Sequence, residues 1–185
     1  MNTNKSETIL VTYSSRAGST AGVAKAIGQV LKDNHFNVDV LEMKDVETIE
    51  SYQAVFAGSA IQAGKWLPEA MQFVEKHKEV LCKKPVATFA VCMTLAMAKG
   101  EKYRPVVSGW LQPVSTMLKP VSEGLFAGVL NVSKIPSFSD RFKFRISVLF
   151  GAWKVGDHRD WGAIQTWAKD LKNQFEQQII NGKLR

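Results

Sequence analysis

Short unbroken apolar runs alternate along this chain with stretches whose apolar residues recur every three or four positions. Thr8 to Tyr13, TILVTY, is a β-rich run of the first kind, the pattern of a strand buried on both faces. From Gly18 to Asn34 the period changes. Val23, Ile27, Val30 and Leu31 share one helical face, and Asn34 supplies a stop signal. Strands are predicted again at Phe36 to Leu41, Ala54 to Gly58, Pro85 to Val91 and Gly124 to Val132. Leu67 to Leu81 reads as a helix through Met71, Val74 and Leu81, with Pro68 near its start, where proline is tolerated. Tyr103 to Leu118 reads as a helix interrupted by Pro113. In the last predicted helix, Trp161 to Ile180, one face carries Ile164, Trp167, Ala168, Leu171 and Phe175. Strands that alternate with helices imply an α/β fold with a parallel sheet covered on both faces. Ser133 to Asp160 is too long for an ordinary connection and is read as an insertion before the last helix.

Composition narrows this picture little. The length of 185 residues suits one domain, and 45% apolar with 22% charged residues is ordinary for a globular protein. No uninterrupted apolar stretch of about 18 residues exists, so no transmembrane helix is predicted. The polar start, Met1 to Glu7, lacks the apolar core of a signal peptide, and a cytoplasmic location is expected. Cys82 and Cys92 have no metal-ligand spacing and His35, His77 and His158 are scattered, so no metal site is expected. The net charge of +7 points to an anionic partner. The cations are spread out without a recognition motif, which argues against nucleic acid.

The most informative residues follow the first strand and open the first helix: Ser14-Ser15-Arg16-Ala17-Gly18-Ser19-Thr20. A helix start presents unpaired N–H groups and partial positive charge. Ser15, Ser19 and Thr20 add hydroxyls, and Gly18 permits a close backbone approach. Neither G-x-G-x-x-G nor a Walker lysine is present, so a monophosphate fits better than a dinucleotide or ATP. The plainer alternative is a set of hydroxyls that only cap a helix. The loop resembles the S/T-x-T-G-x-T phosphate loop of the flavodoxin family, with Ala17 where threonine is usual. That resemblance implies a flavodoxin-like, doubly wound five-stranded parallel sheet in the order 2-1-3-4-5. It also implies FMN, its phosphate wrapped by Ser15, Arg16, Ala17, Gly18, Ser19 and Thr20.

Two further loops are expected at the same sheet edge, where doubly wound folds bind ligands. Gly58 to Trp66 follows the third strand, and Ala60, Ile61, Gln62, Ala63 and Gly64 are its candidate flavin contacts. Cys92, Met93, Thr94 and Leu95 follow the fourth strand. Flavodoxins sandwich the flavin between such loops, often with an aromatic side chain. Trp66 either stacks on the flavin or packs half-buried at a helix start. Cys92 reads as a small buried hydrophobe rather than a redox thiol.

Within the insertion, Phe138, Phe142, Ile146, Leu149, Phe150 and Trp153 recur at helical spacing, while Arg141 and Arg145 share another face. Such a helix suits a membrane interface, the wall of a site for a flat anionic ligand, or simple packing on the sheet edge. The phosphate loop, Gly58-Ser59-Ala60-Ile61 and Asp140-Arg141-Phe142 together resemble the quinone-dependent protoporphyrinogen dehydrogenases. That resemblance implies an FMN oxidoreductase with a porphyrinogen substrate, quinone as acceptor and peripheral contact with the inner face of the cell membrane. Arg141, Lys143 and Arg145 would meet substrate propionates or lipid. The alternative is a flavodoxin-type electron carrier between protein partners.

Overall fold

The computed structural model describes residues 8–97, 99–130, 142, 146, 148 and 154–183, and only the backbone of residues 173 and 176–183. Five parallel strands form the sheet. They are β1 (Thr8–Ser14), β2 (Asn37–Glu42), β3 (Tyr52–Gln62), β5 (Val86–Cys92) and β6 (Ser122–Ala127), in the order β2-β1-β3-β5-β6. This is the expected 2-1-3-4-5 arrangement, because the remaining strand of the sheet, β4 (Lys65–Trp66), is a short antiparallel addition to β3. The crossovers are α1 (Ser19–Asp33), α2 (Pro68–Leu81) and α3 (Arg104–Leu118), followed at the end by α4 (Trp161–Lys183). Helix α3 continues through Pro113.

Each face of the sheet has its own core. On the α1 and α4 side, Ile9, Val11, Phe56, Phe89 and Phe126 meet Val23, Ile27, Ile164, Leu171 and Phe175. The aromatic rings there meet edge to face: Phe56 lies 5.9 Å from Trp167 and 5.0 Å from Phe175. Trp167 satisfies its indole N–H on Ser122 Oγ at 3.1 Å. On the α2 and α3 side, Leu10, Val55, Ala57 and Ala90 pack beneath Phe73, Val74, Leu111 and Val114. Burying both faces explains why the strands read as continuous apolar runs rather than alternating ones.

Two boundaries differ from the sequence reading. Strand β3 runs on to Gln62 instead of ending at Gly58, because β4 folds back and pairs Ile61 with Trp66 and Gln62 with Lys65. The fifth predicted strand breaks at Gly128. Strand β5 offers no partner beyond the Cys92–Ala127 register, and the chain turns off to form β7 (Val129–Leu130). β7 pairs with β8 (Gly156–Asp157), so the two ends of the insertion are joined as a small antiparallel ribbon. Arg141, Lys143 and Arg145 lie outside the described residues, as do Phe138, Leu149, Phe150 and Trp153. Phe142 and Ile146 are exposed, at 60% and 40%.

Candidate functional site

Parallel pairing brings the carboxyl ends of β1, β3 and β5 to one edge, with Ser14 beside Ser59 and Ala60 beside Val91. The three candidate loops leave from this edge.

The first loop crosses from β1 to α1. Gly18 caps the helix in the left-handed region at φ 87°, a conformation that strains any residue with a Cβ. Its N–H donates to Ser15 Oγ at 3.0 Å, which tightens the turn. The first-turn amides of α1 have no intrahelical acceptor and face out of the helix start. Thr20, in that turn, is fully buried, and its Oγ1 has no hydrogen-bond partner among the described residues. A buried hydroxyl left unpaired costs about 1–3 kcal/mol. Thr12 and Thr88 on the strands share this state among the described residues, but Thr20 alone of the three stands at the helix start, where an incoming acceptor can reach it. Ser19 Oγ accepts the N–H of Val129 at 3.1 Å. Arg16 behaves differently. Its guanidinium reaches Glu69 in the first turn of α2, with Nη2 3.0 Å from Oε2 and Nη1 on Oε1. Only the backbone of Arg16 therefore stays with the loop. Ala17 is exposed and contributes a methyl group.

The second loop is a hairpin. Ala60, Ile61 and Gln62 are strand residues, and the turn is Ala63–Gly64, with φ 51° and 72°. Positive φ at both central positions is the requirement of a type I′ turn. Trp66 faces inward, 4% exposed, in the α2 and α3 core. The packing reading of Trp66 thus describes this structure, and its ring is not presented to a ligand. The aromatic residue at the hairpin is instead Trp110 of α3, which sequence reasoning missed. A Cβ added at Gly64 would stand 3.1 Å from Trp110 Nε1. Nothing local in the sequence marks Trp110, because only the packing of α3 beside β4 brings it there.

The third loop begins at Cys92, which is 4% exposed, and burial pushes its thiol pKa up. A buried thiol held protonated is a poor nucleophile. Met93, Thr94 and Leu95 follow as half-buried residues at the edge. Gly128 lies beside this loop: a side-chain carbon there would stand 3.5 Å from Met93 Sδ and 3.7 Å from Ser19 Cβ. The structure thus brings the loop after β1, the hairpin and the third loop to one edge. It pairs the Arg16 guanidinium with Glu69 and buries Cys92.

A family model described as a flavodoxin domain matches residues 10–149. The chain belongs to the flavodoxin-domain family. Its cofactor is FMN. The unpartnered Thr20 hydroxyl at the start of α1 fits the phosphate of that cofactor. The chain is 23% identical over 171 residues to the protoporphyrinogen IX dehydrogenase [quinone] of Escherichia coli strain K12, an alignment that covers 88% of this chain and 93% of that relative. Among solved structures, oxidised flavodoxin 2 from Bacillus cereus matches with a TM-score of 0.56 at 19% identity, covering 91% of this chain and 99% of that one. A flavodoxin from Streptococcus pneumoniae TIGR4 matches with a TM-score of 0.54 at 14% identity, covering 90% and 99%. Among the described residues no helix is long and apolar enough to cross a membrane.

Proposed function

We propose that this flavodoxin-domain protein is an FMN-dependent oxidoreductase that takes hydrogen from a porphyrinogen-type substrate and delivers it to a quinone. The observation that carries the cofactor half is the buried Thr20 Oγ1 at the start of α1, unpaired among the described residues. In this reading Thr20, Ser19, Ser15 and the Gly18 backbone hold the FMN phosphate. Ala60 to Gly64, with Trp110 behind the turn, and Met93 to Leu95 flank the flavin ring. Cys92 contributes its backbone at most, since its thiol is buried.

The substrate half is supported by the relative, whose name carries both porphyrinogen and quinone and whose alignment runs along 88% of the chain. Bound FMN supplies the hydrogen-accepting chemistry, and the protein orients and shelters it. Arg141, Lys143 and Arg145 in the insertion would receive the propionates, by charge-assisted hydrogen bonds. Peripheral contact with an anionic membrane surface would bring the site to a lipid-borne quinone, in keeping with the net charge of +7.

Anaerobic turnover tests this. The FMN-loaded protein, given protoporphyrinogen IX and a menaquinone analogue, is expected to generate porphyrin fluorescence that depends on both quinone and native protein. A loaded protein that yields no fluorescence would reject the substrate and leave an electron carrier between protein partners in its place. Arg141→Glu with Arg145→Glu is expected to raise KM for the porphyrinogen about tenfold or more, since hydrogen bonds to charged groups are worth about 1.5–3 kcal/mol each. An unchanged KM would assign those cations a role away from the substrate.

A further inference from the structure

The ribbon that joins the two ends of the insertion and the segment after it meet the start of α1 at two points, one turn apart. At the first, Ser19 Oγ accepts the Val129 N–H at 3.1 Å. At the second, Arg159 lies on Gly22, one turn along the same helix. Its Nη1 is only 2.2 Å from where a Cβ on Gly22 would stand, so a larger residue there would displace the guanidinium from this position.

Arg159 is held for that purpose from two sides. Asp157 grips it in bidentate fashion, Oδ1 taking Nε at 2.8 Å and Oδ2 taking Nη2 at 2.6 Å. The Trp161 ring lies beneath it, 4.2 Å from Cζ to the centroid. The side chain is only 16% exposed. His158 N–H closes the ribbon onto Gly128 O at 3.1 Å. Planar stacking with bidentate pairing is an arginine arrangement that lysine cannot copy.

The Ser19 hydroxyl has one proton to give and two lone pairs. Val129 uses one lone pair, and among the described residues the proton has no acceptor at the helix start, where Thr20 Oγ1 is likewise without a partner. A hydroxyl that accepts one hydrogen bond becomes a better donor in the next, and the reverse holds too.

We propose that Ser19 couples the FMN phosphate to the β7–β8 ribbon, donating to the phosphate while accepting from Val129, with Arg159 on Gly22 as the positioning residue that holds the ribbon in reach. The inference rests on the phosphate-loop reading above. Coupling between two sites is reciprocal, so phosphate binding tightens the ribbon and a loosened ribbon weakens phosphate binding.

Riboflavin has the ring of FMN without its phosphate, which separates coupling from general stability. In the unaltered chain, saturating FMN is expected to slow amide hydrogen exchange at Val129 and His158 about fivefold or more, and saturating riboflavin is expected to leave both unchanged. Arg159→Met keeps the stem and removes the guanidinium. It is expected to weaken FMN binding about fivefold in a fluorescence titration, with riboflavin affinity unaltered. Equal protection by both flavins, or equal weakening of both by Arg159→Met, would reduce the ribbon to ordinary scaffolding and overturn the coupling. A different failure, equal affinity of the unaltered chain for FMN and riboflavin, would overturn the phosphate-loop reading and the coupling with it.

Discussion

Phe56→Ala is expected to remove about 3–5 kcal/mol of folding stability, the usual cost of deleting a fully buried phenyl ring. Phe56 is 0% exposed on β3, the middle strand of the sheet. Its ring meets Trp167 and Phe175 of α4 edge to face, at interplanar angles of 85° and 70°. The substitution therefore does more than open a cavity. It removes the ring of the sheet that meets both Trp167 and Phe175, leaving Phe89 and Phe126 against Trp167, and such aromatic pairs add about 0.5–1.5 kcal/mol beyond area burial. In a chain of 185 residues the loss corresponds to a fall in Tm of about 10 °C. Urea denaturation followed by far-UV circular dichroism checks the energy, and the near-UV signal of Trp167 checks the packing. A loss below about 1 kcal/mol would mean that neighbouring side chains refill the space.

The same contacts indicate which features were readable from the chain. Residues that act through period and position were legible. Ile164, Trp167, Ala168, Leu171 and Phe175 recur at helical spacing, and four of the five are fully buried or nearly so. The position of the loop between β1 and α1 was legible for a similar reason. Ser15 to Thr20 stand between a strand pattern and a helix pattern, where geometry places free amides whatever the tertiary structure does.

Features that depend on contacts distant in sequence were not legible. The extension of β3 is set by its pairing with Lys65–Trp66. The turn between them, Ala63–Gly64, lacks the Asn-Gly or Asp-Gly signal that marks a two-residue hairpin. Once β4 forms, the alternation of a strand sends Trp66 into the core, which decides for packing between the two readings that the sequence left open. The pairing of the Arg16 guanidinium with Glu69, remote in sequence, is of the same kind. Arg159 gave no signal because its meaning lies in Gly22, an ordinary helical glycine until the fold brings the guanidinium to it.

Thr20→Val is expected to move two quantities in opposite directions. Valine matches threonine in shape, so the packing of the first turn of α1 is retained while the hydroxyl is removed. In the free chain that hydroxyl is fully buried and unpaired among the described residues. Its removal relieves a desolvation penalty, and the flavin-free protein is expected to gain about 1 kcal/mol of stability. With FMN the balance reverses. A hydrogen bond to a charged phosphate is worth about 1.5–3 kcal/mol, so FMN affinity is expected to fall about tenfold to a hundredfold. Denaturation of the flavin-free variant and fluorescence titration with FMN measure the two effects separately. A general defect in folding would lower both together, and a hydroxyl that merely caps the helix would lower stability and leave FMN binding alone. Only a hydroxyl kept in reserve for the ligand gives a more stable apoprotein that binds FMN less tightly. That combination of signs, rather than either magnitude, assigns Thr20 to the phosphate.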